Sequence, residues 1–293
     1  MRSFADACRA LIDAPGADHS LYTTLAPLYE ALRLGEGGEE RFHRQFRLAR
    51  ERLPLGTGSV LEVGCGLGGL LPLLAGAYDE VVGLDRSTTL LAHAAERTDP
   101  DDVELVAADF GGRTPVGRAG DGHGDPGRDD HGDVADGVTG PMDRQFDAVL
   151  AFGYVLSGAT TDAGLRSFAR ATRAHLRPGG TVVCDAVADP VAVTEEPVQV
   201  YHDEGFRLER AVDVVPARGF EGVEVVADYR ATDRSTGETG TATERLPVRT
   251  FEPAELETAM AAAGLADVTV ERAPDGADEG TLVATASRPV ETE

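Results

Sequence analysis

The segment Ser59-Val-Leu-Glu-Val63-Gly-Cys-Gly-Leu-Gly68-Gly69 constrains this chain most strongly. A short apolar strand runs into a glycine-rich turn, and the apolar helical run Leu70–Ala77 follows at once. Glycines let the backbone turn sharply from strand to helix and approach a ligand closely. Ligands of open α/β sheets sit at such strand ends. The next apolar run, Val81–Leu84, is closed by Asp85, 21 residues after Gly64. A carboxylate there can accept two hydrogen bonds from ribose hydroxyls. A third run, Val103–Ala107, is followed by Ala108-Asp109-Phe110. Asp109 could accept from an exocyclic adenine amine, and Phe110 could offer its backbone N–H to the ring.

The rest of the chain extends this pattern. Residues 18–33 read as a helix with Leu21, Leu25, Leu28 and Leu32 on one side, and 38–53 as a second helix ended by Pro54. Ser87 reads as the N-cap of a helix through Arg97. Phe146–Phe152 is a strand, 162–176 a helix, 177–180 a turn and 181–187 a strand. Strands alternating with helices over 58–187 mean βαβ units and a parallel sheet. Phe206–Val215, Val223–Thr232 and Thr241–Arg249, joined by short loops, read as an antiparallel meander. Glu252–Ala263 is a helix, and 268–270 and 281–286 are final strands. Residues 111–143 are polar, Gly-rich and without period, which reads as a mobile surface insertion. Its His123 and His131, among aspartates, are read as solvated rather than as metal ligands.

The charge excludes some partners. There are 27 basic residues, all of them Arg, against 51 Asp and Glu, a net charge of −24. Such an excess repels nucleic-acid phosphates and anionic membrane surfaces. Lys-free, Trp-free acidic sequence resembles the proteins of extreme halophiles, whose molar salt shortens the Debye length to about 3 Å and screens self-repulsion. Cys8, Cys65 and Cys184 show no metal-ligand or disulfide spacing. The N-terminus has no long apolar stretch, and Leu67–Tyr78 is too short to span a bilayer. A soluble cytoplasmic protein is expected.

On glycines alone, Gly64, Gly66 and Gly69 also fit the Gly-x-Gly-x-x-Gly turn of dinucleotide folds. Glu62 separates the readings. A carboxylate two residues before the turn would repel a pyrophosphate but suits an amino-acid ammonium. With Val60–Gly68, Val82-Gly-Leu-Asp85-Arg-Ser87, Ala108–Phe110, Phe146–Gly153 and Leu176-Arg-Pro-Gly-Gly180, the chain resembles class I S-adenosylmethionine-dependent methyltransferases. The resemblance spans 56–187, with Phe251–Val270 and 281–286 similar to the family's last helix and strand pair. It implies a Rossmann-like sheet of seven strands, mostly parallel, with the last strand antiparallel. Four segments follow: an N-terminal helical cap (1–55), an S-adenosylmethionine-binding core (56–190, with the insertion at 111–143), a β insertion (195–250) and a C-terminal part completing the core (251–288).

The resemblance also implies site residues. Gly64, Cys65, Gly66 and Gly68 form the turn beside the methionine and ribose. Glu62 holds the amino-acid end, Asp85 the ribose, and Arg86, Asp109 and Phe110 the adenine side. Ala151 and Phe152 border the transferring methyl. There is no Asn/Asp-Pro-Pro-Tyr after the fourth strand, where Ala151-Phe-Gly-Tyr154 stands instead, and no Pro-Cys nucleophile. Helices at the N-terminus and an inserted meander resemble glycine, sarcosine and amino-sugar N-methyltransferases, and imply a small-molecule N or O acceptor. The meander would be a lid or a homodimer surface. Holding the acceptor about 3–3.5 Å from the methyl can supply much of the rate. An amine needs no strong base, whereas a hydroxyl would want one. His202 and Tyr154 are the catalytic candidates, and Tyr22 and Tyr29, seven apart on a helix, are substrate or sulfonium contacts. No metal is expected. The rival readings are an NAD-binding oxidoreductase and a non-catalytic adenosyl-ligand scaffold.

Overall fold

Ser3 starts the first helix. Its side chain accepts from Asp6 N while Asp6 Oδ2 accepts from Ser3 N, at 3.2 and 2.8 Å, a reciprocal cap that launches α1 (Phe4–Asp13). The sequence reading had no helix here. The computed structural model describes residues 3–34, 38–54, 57–110, 138–139, 143–194 and 198–290. The helix expected over 18–33 begins only at α2 (Ala26–Leu34). Pro27 has no N–H to return to the preceding turn, so 21–25 form turns instead. Helix α3 (Gly38–Arg52) follows.

The alternating region folds as β1 (Ser59–Val63), α4 (Leu71–Ala75), β2 (Glu80–Asp85), α5 (Thr88–Ala95), β3 (Val103–Ala107), β4 (Val138–Thr139), β5 (Phe146–Ala151), α6 (Asp162–His175) and β6 (Leu176–Val187). The meander is β7 (Val198–His202), β8 (Phe206–Pro216), β9 (Gly222–Asp233) and β10 (Thr239–Arg249), before α7 (Pro253–Ala262), β11 (Ala266–Arg272) and β12 (Thr281–Ser287). The larger sheet has the order β11-β12-β6-β5-β1-β2-β3-β4. Its neighbours pair in parallel except at β12, which runs antiparallel to both β6 and β11. Seven of these strands are the expected ones. The eighth, β4, is the two-residue pair Val138-Thr139 set beside Leu105 and Val106, a strand within the segment read as unstructured insertion. Residues 111–137 and 140–142, with His123 and His131, lie outside the described residues. The turn expected at 177–180 is a bulge at the start of β6, where Gly179 takes φ +85°.

Because side chains of a strand alternate, the large sheet buries two faces. Leu61, Val63, Val149 and Ala151 pack under α6 and α7 against Leu165, Phe168, Leu256 and Met260. Val60, Cys65, Ala148 and Leu150 pack under α3, α4 and α5 against Leu48, Leu74 and Leu91. Each such leucine contributes about 1.5–3 kcal/mol by burial. The smaller sheet, in order β10-β9-β8-β7, carries a separate core against α1 and α2. Phe206, Leu208, Ala227, Tyr229 and Ala242 meet Cys8, Leu11, Leu21, Leu25 and Leu28 there. No helix among the described residues is long and apolar enough to cross a membrane.

Candidate active site

Strand order reverses between β1 and β5, with β2 to one side of the pair and β6 to the other. A crevice opens at the carboxyl ends of the strands at such a switch point. Here it is a cavity of about 620 Å3. Its floor is the glycine turn, in which Gly64, Gly66 and Gly68 take φ of +70°, +55° and +75°. Side chains rarely adopt that left-handed region. A Cβ on Gly64 would also stand 2.4 Å from Val155 Cγ2, and one on Gly68 2.9 Å from Ala94 Cβ.

Asp85 ties this turn to the next strand. Its Oδ2 accepts from Gly66 N at 2.9 Å and its Oδ1 from Ser87 N at 2.8 Å, and the residue lines the cavity. Ser87 caps α5 by accepting from Leu90 N, as expected, and its hydroxyl donates to Tyr22 O. That bond draws the N-terminal segment over the site. Tyr22 and Tyr29 form a tilted pair with ring centroids 5.7 Å apart, and both line the cavity. Arg86 and Asp109 lie exposed on its rim. Phe110 lines it too, buried edge-on against Phe168.

Some expected residues stand back from the cavity. Glu62 is buried just before the turn, and its Oε2 has no hydrogen-bond partner among the described residues. Burial, then the neighbouring Asp85 charge, pushes its carboxyl up to about 8, so it is neutral at pH 7. Cys65 is buried among the residues under α4 and α5, and its thiol is pushed well upward by the same burial. Gly68 packs against α5. Ala151 and Phe152 belong to the cores on opposite sheet faces. His202 sits exposed at the end of β7, the edge of the smaller sheet, and does not line the cavity.

Tyr154 does line it, in an unexpected conformation: φ is +67°, which costs a residue with a Cβ about 1–3 kcal/mol. Its hydroxyl donates to Asp278 Oδ2 at 3.0 Å, and the Arg41 guanidinium lies 5.6 Å from its ring centroid. Burial, reinforced by Asp278, holds the phenol far above its ordinary range, so it is a proton donor and not a base at neutral pH.

Sequence reasoning passed over several wall residues. Arg41 comes from α3 and Asp278 from the β11–β12 connection, too far apart in sequence to suggest a shared site. Arg210 is 1% exposed and lines the cavity from β8. Its signal was visible: it takes an inward position in the Phe206, Leu208, Arg210, Val212 alternation. It donates to Gln199 Oε1 at 2.8 Å and to the Tyr229 hydroxyl, which donates to Glu244 Oε2 at 2.9 Å. Glu244 Oε1 in turn accepts from Ser20 Oγ and Leu21 N. A buried polar chain thus joins the cavity wall to the N-terminal segment.

Residues 61–182 match the family described as a methyltransferase domain. A curated relative from Streptomyces fradiae, dTDP-3-amino-3,6-dideoxy-alpha-D-glucopyranose N,N-dimethyltransferase, is 31% identical over 179 residues. That alignment takes in 58% of this chain and 55% of the relative, so the chain spans just over half the length of the curated relative it matches. Among solved structures, the sugar N-methyltransferase KedS8 from Streptoalloteichus superposes with a TM-score of 0.66 at 22% identity, covering 92% of this chain and 95% of that one. S-adenosylmethionine-bound CalS10, an amino pentose methyltransferase from Micromonospora echinaspora, gives 0.62 at 22% identity, over 89% and 96%. These two likenesses show that the fold is shared over about nine-tenths of the chain.

Proposed function

We propose that the chain transfers a methyl group from S-adenosyl-L-methionine to the amine of a small molecule, an amino sugar above all. One observation carries the reading: a single cavity at the β1/β5 switch point has two unlike walls. The glycine turn, Asp85, Asp109 and Phe110 form the first. Val191–Thr194 and Leu246–Val248 form the second, with Arg210. One chamber therefore serves two ligands. The relatives' names supply the acceptor class, and none of them names an oxidoreductase.

The residues fit the cofactor. Gly64 and Gly66 leave the floor bare and Asp85 presents a carboxylate to ribose hydroxyls, while Glu62, set back just before the turn, keeps a buried oxygen without a partner among the described residues. When bound, the cofactor supplies an electrophilic methyl on a sulfonium. The chain's part is to orient and to exclude water. Tyr22 and Tyr29, tied down through Ser87, cover the cofactor wall, and Asp278 with Tyr154 borders the acceptor side. Among the described residues no histidine lines the cavity, and Tyr154 keeps its proton. A neutral amine attacks through its own lone pair and needs no base, which favours nitrogen over oxygen. On this reading 1–55 cap the site, 56–190 hold the cofactor, 195–250 roof the acceptor side and 251–288 complete the sheet.

The test is calorimetric titration in molar KCl with S-adenosylhomocysteine, with NAD in parallel, followed by mass spectrometry of nucleotide-linked amino sugars and their hydroxyl counterparts. Homocysteine-nucleoside binding and methylation of the amines alone are expected. Binding of NAD alone, or methylation of hydroxyl sugars alone, overturns the reading. Cofactor binding without turnover on any acceptor would point to a scaffold.

A further inference from the structure

Asp185 lies near the end of β6, in a strand whose other side chains from Val182 to Val187 are apolar, and is 8% exposed. It does not line the large cavity. Its Oδ2 accepts from Gly153 N at 2.9 Å and its Oδ1 from Tyr154 N at 2.7 Å. Two successive N–H groups therefore converge on one carboxylate, at the turn where Tyr154 adopts φ +67°. A strained backbone persists only where its surroundings over-determine it. The far end of Tyr154 is fixed as well, through its hydroxyl to Asp278. Between these two anchors the ring borders the cavity.

We infer that Asp185 is a positioning residue, clamping the Gly153–Tyr154 peptide so that the Tyr154 ring is held at the acceptor side of the cavity. The inference rests on the proposed reading only in calling that side the acceptor's. The clamp itself is a property of the turn. It requires both carboxylate oxygens as acceptors, and protonation converts one into a hydroxyl, which is a donor and a poorer acceptor. Burial pushes Asp185 up to about 6, the two N–H bonds and Arg41 acting against it and Asp278 with it. The charged groups around it are Arg41 and Arg44 of α3, which share a small cavity with it, and Asp278 from the β11–β12 connection. On its own strand the neighbouring Cys184 thiol is pushed far upward by burial, and so stays neutral. The clamp is therefore expected to loosen as pH falls through about 6.

Fluorine NMR of the full chain carrying meta-fluorotyrosine tests this without any acceptor. The Tyr154 signal is assigned by its loss in Tyr154→Phe. It is expected to shift with a midpoint near pH 6. Asp185→Asn should abolish that step, and Asp278→Asn should leave it in place. A Tyr154 signal with no step there, a step that survives Asp185→Asn, or one removed by Asp278→Asn overturns the clamp. Should Asp185→Asn not fold, the step in the unaltered chain and its survival in Asp278→Asn decide the matter. S-adenosylhomocysteine affinity of Asp185→Asn should stay within about twofold while kcat/KM for the amine falls about tenfold. Failure of the unaltered chain to bind S-adenosylhomocysteine would sink the enzymatic reading and leave the NMR test of the clamp unaffected.

Discussion

Asp85 does two jobs with one carboxylate. It pins the glycine turn through Gly66 N and Ser87 N, and it faces the cavity. Hydrogen bonds to a charged group are worth about 1.5–3 kcal/mol, so Asp85→Ala should weaken S-adenosylhomocysteine binding by roughly 10- to 150-fold, read by calorimetry. Unchanged affinity in a folded variant would remove Asp85 from the site. Glu62 gives a pH prediction. Its carboxyl is raised from 4.5 to about 8, so the fold favours the protonated form. Its contribution is complete below 4.5 and disappears as pH rises through about 8. Glu62→Gln should keep that contribution at alkaline pH, raising stability over the parent at pH 9 by up to about 5 kcal/mol and not at pH 4, as thermal melts would show. Asp85, Asp109 and the glycines were legible because strand ends announce themselves in sequence. Asp185 was equally visible, a lone carboxylate in the apolar run 181–187, but a strand reading has no use for such a residue until the neighbouring turn is seen.

At the scale of elements, the turn between β1 and α4 tolerates no side chain at its first glycine. Gly64→Ala would need a left-handed backbone and a Cβ 2.4 Å from Val155, so loss of cofactor binding is expected with the rest of the far-UV spectrum retained. The smaller sheet makes its own prediction. Tyr229→Phe removes the hydroxyl that donates to Glu244 Oε2 in a buried setting, which should cost about 1–3 kcal/mol in denaturant unfolding. The alternating elements could be read from period alone, since strands with helices between them leave few other solutions. α1 could have been read from Ser3-x-x-Asp6 and the spacing of Ala7, Cys8 and Leu11. β7 could not: Val198 and Val200 point outward at an edge, and its inward residues are Gln199 and Tyr201, which gives no apolar alternation to detect.

The whole molecule carries a charge of −24, and some of its arginines form ion pairs, such as Arg249 with Asp162 and Glu255, or Arg52 with Glu271. Surface pairs of this kind contribute little singly, and the surplus carboxylates repel one another. Raising KCl from about 0.1 M to 1 M shortens the Debye length from about 10 to 3 Å, so the melting temperature should climb through that range. A flat or falling curve would mean that the acidic surface is not what limits stability. The order of the large sheet has a consequence for how the protein is made. β12 sits between β6 and β11, so a nascent chain that has emerged only as far as β11 still presents β6 as a bare edge. Open edges recruit strands from other chains. The sheet is therefore completed only when residues 281–287 leave the ribosome. A premature stop ahead of them should therefore leave β6 open to pairing with other chains and yield aggregate.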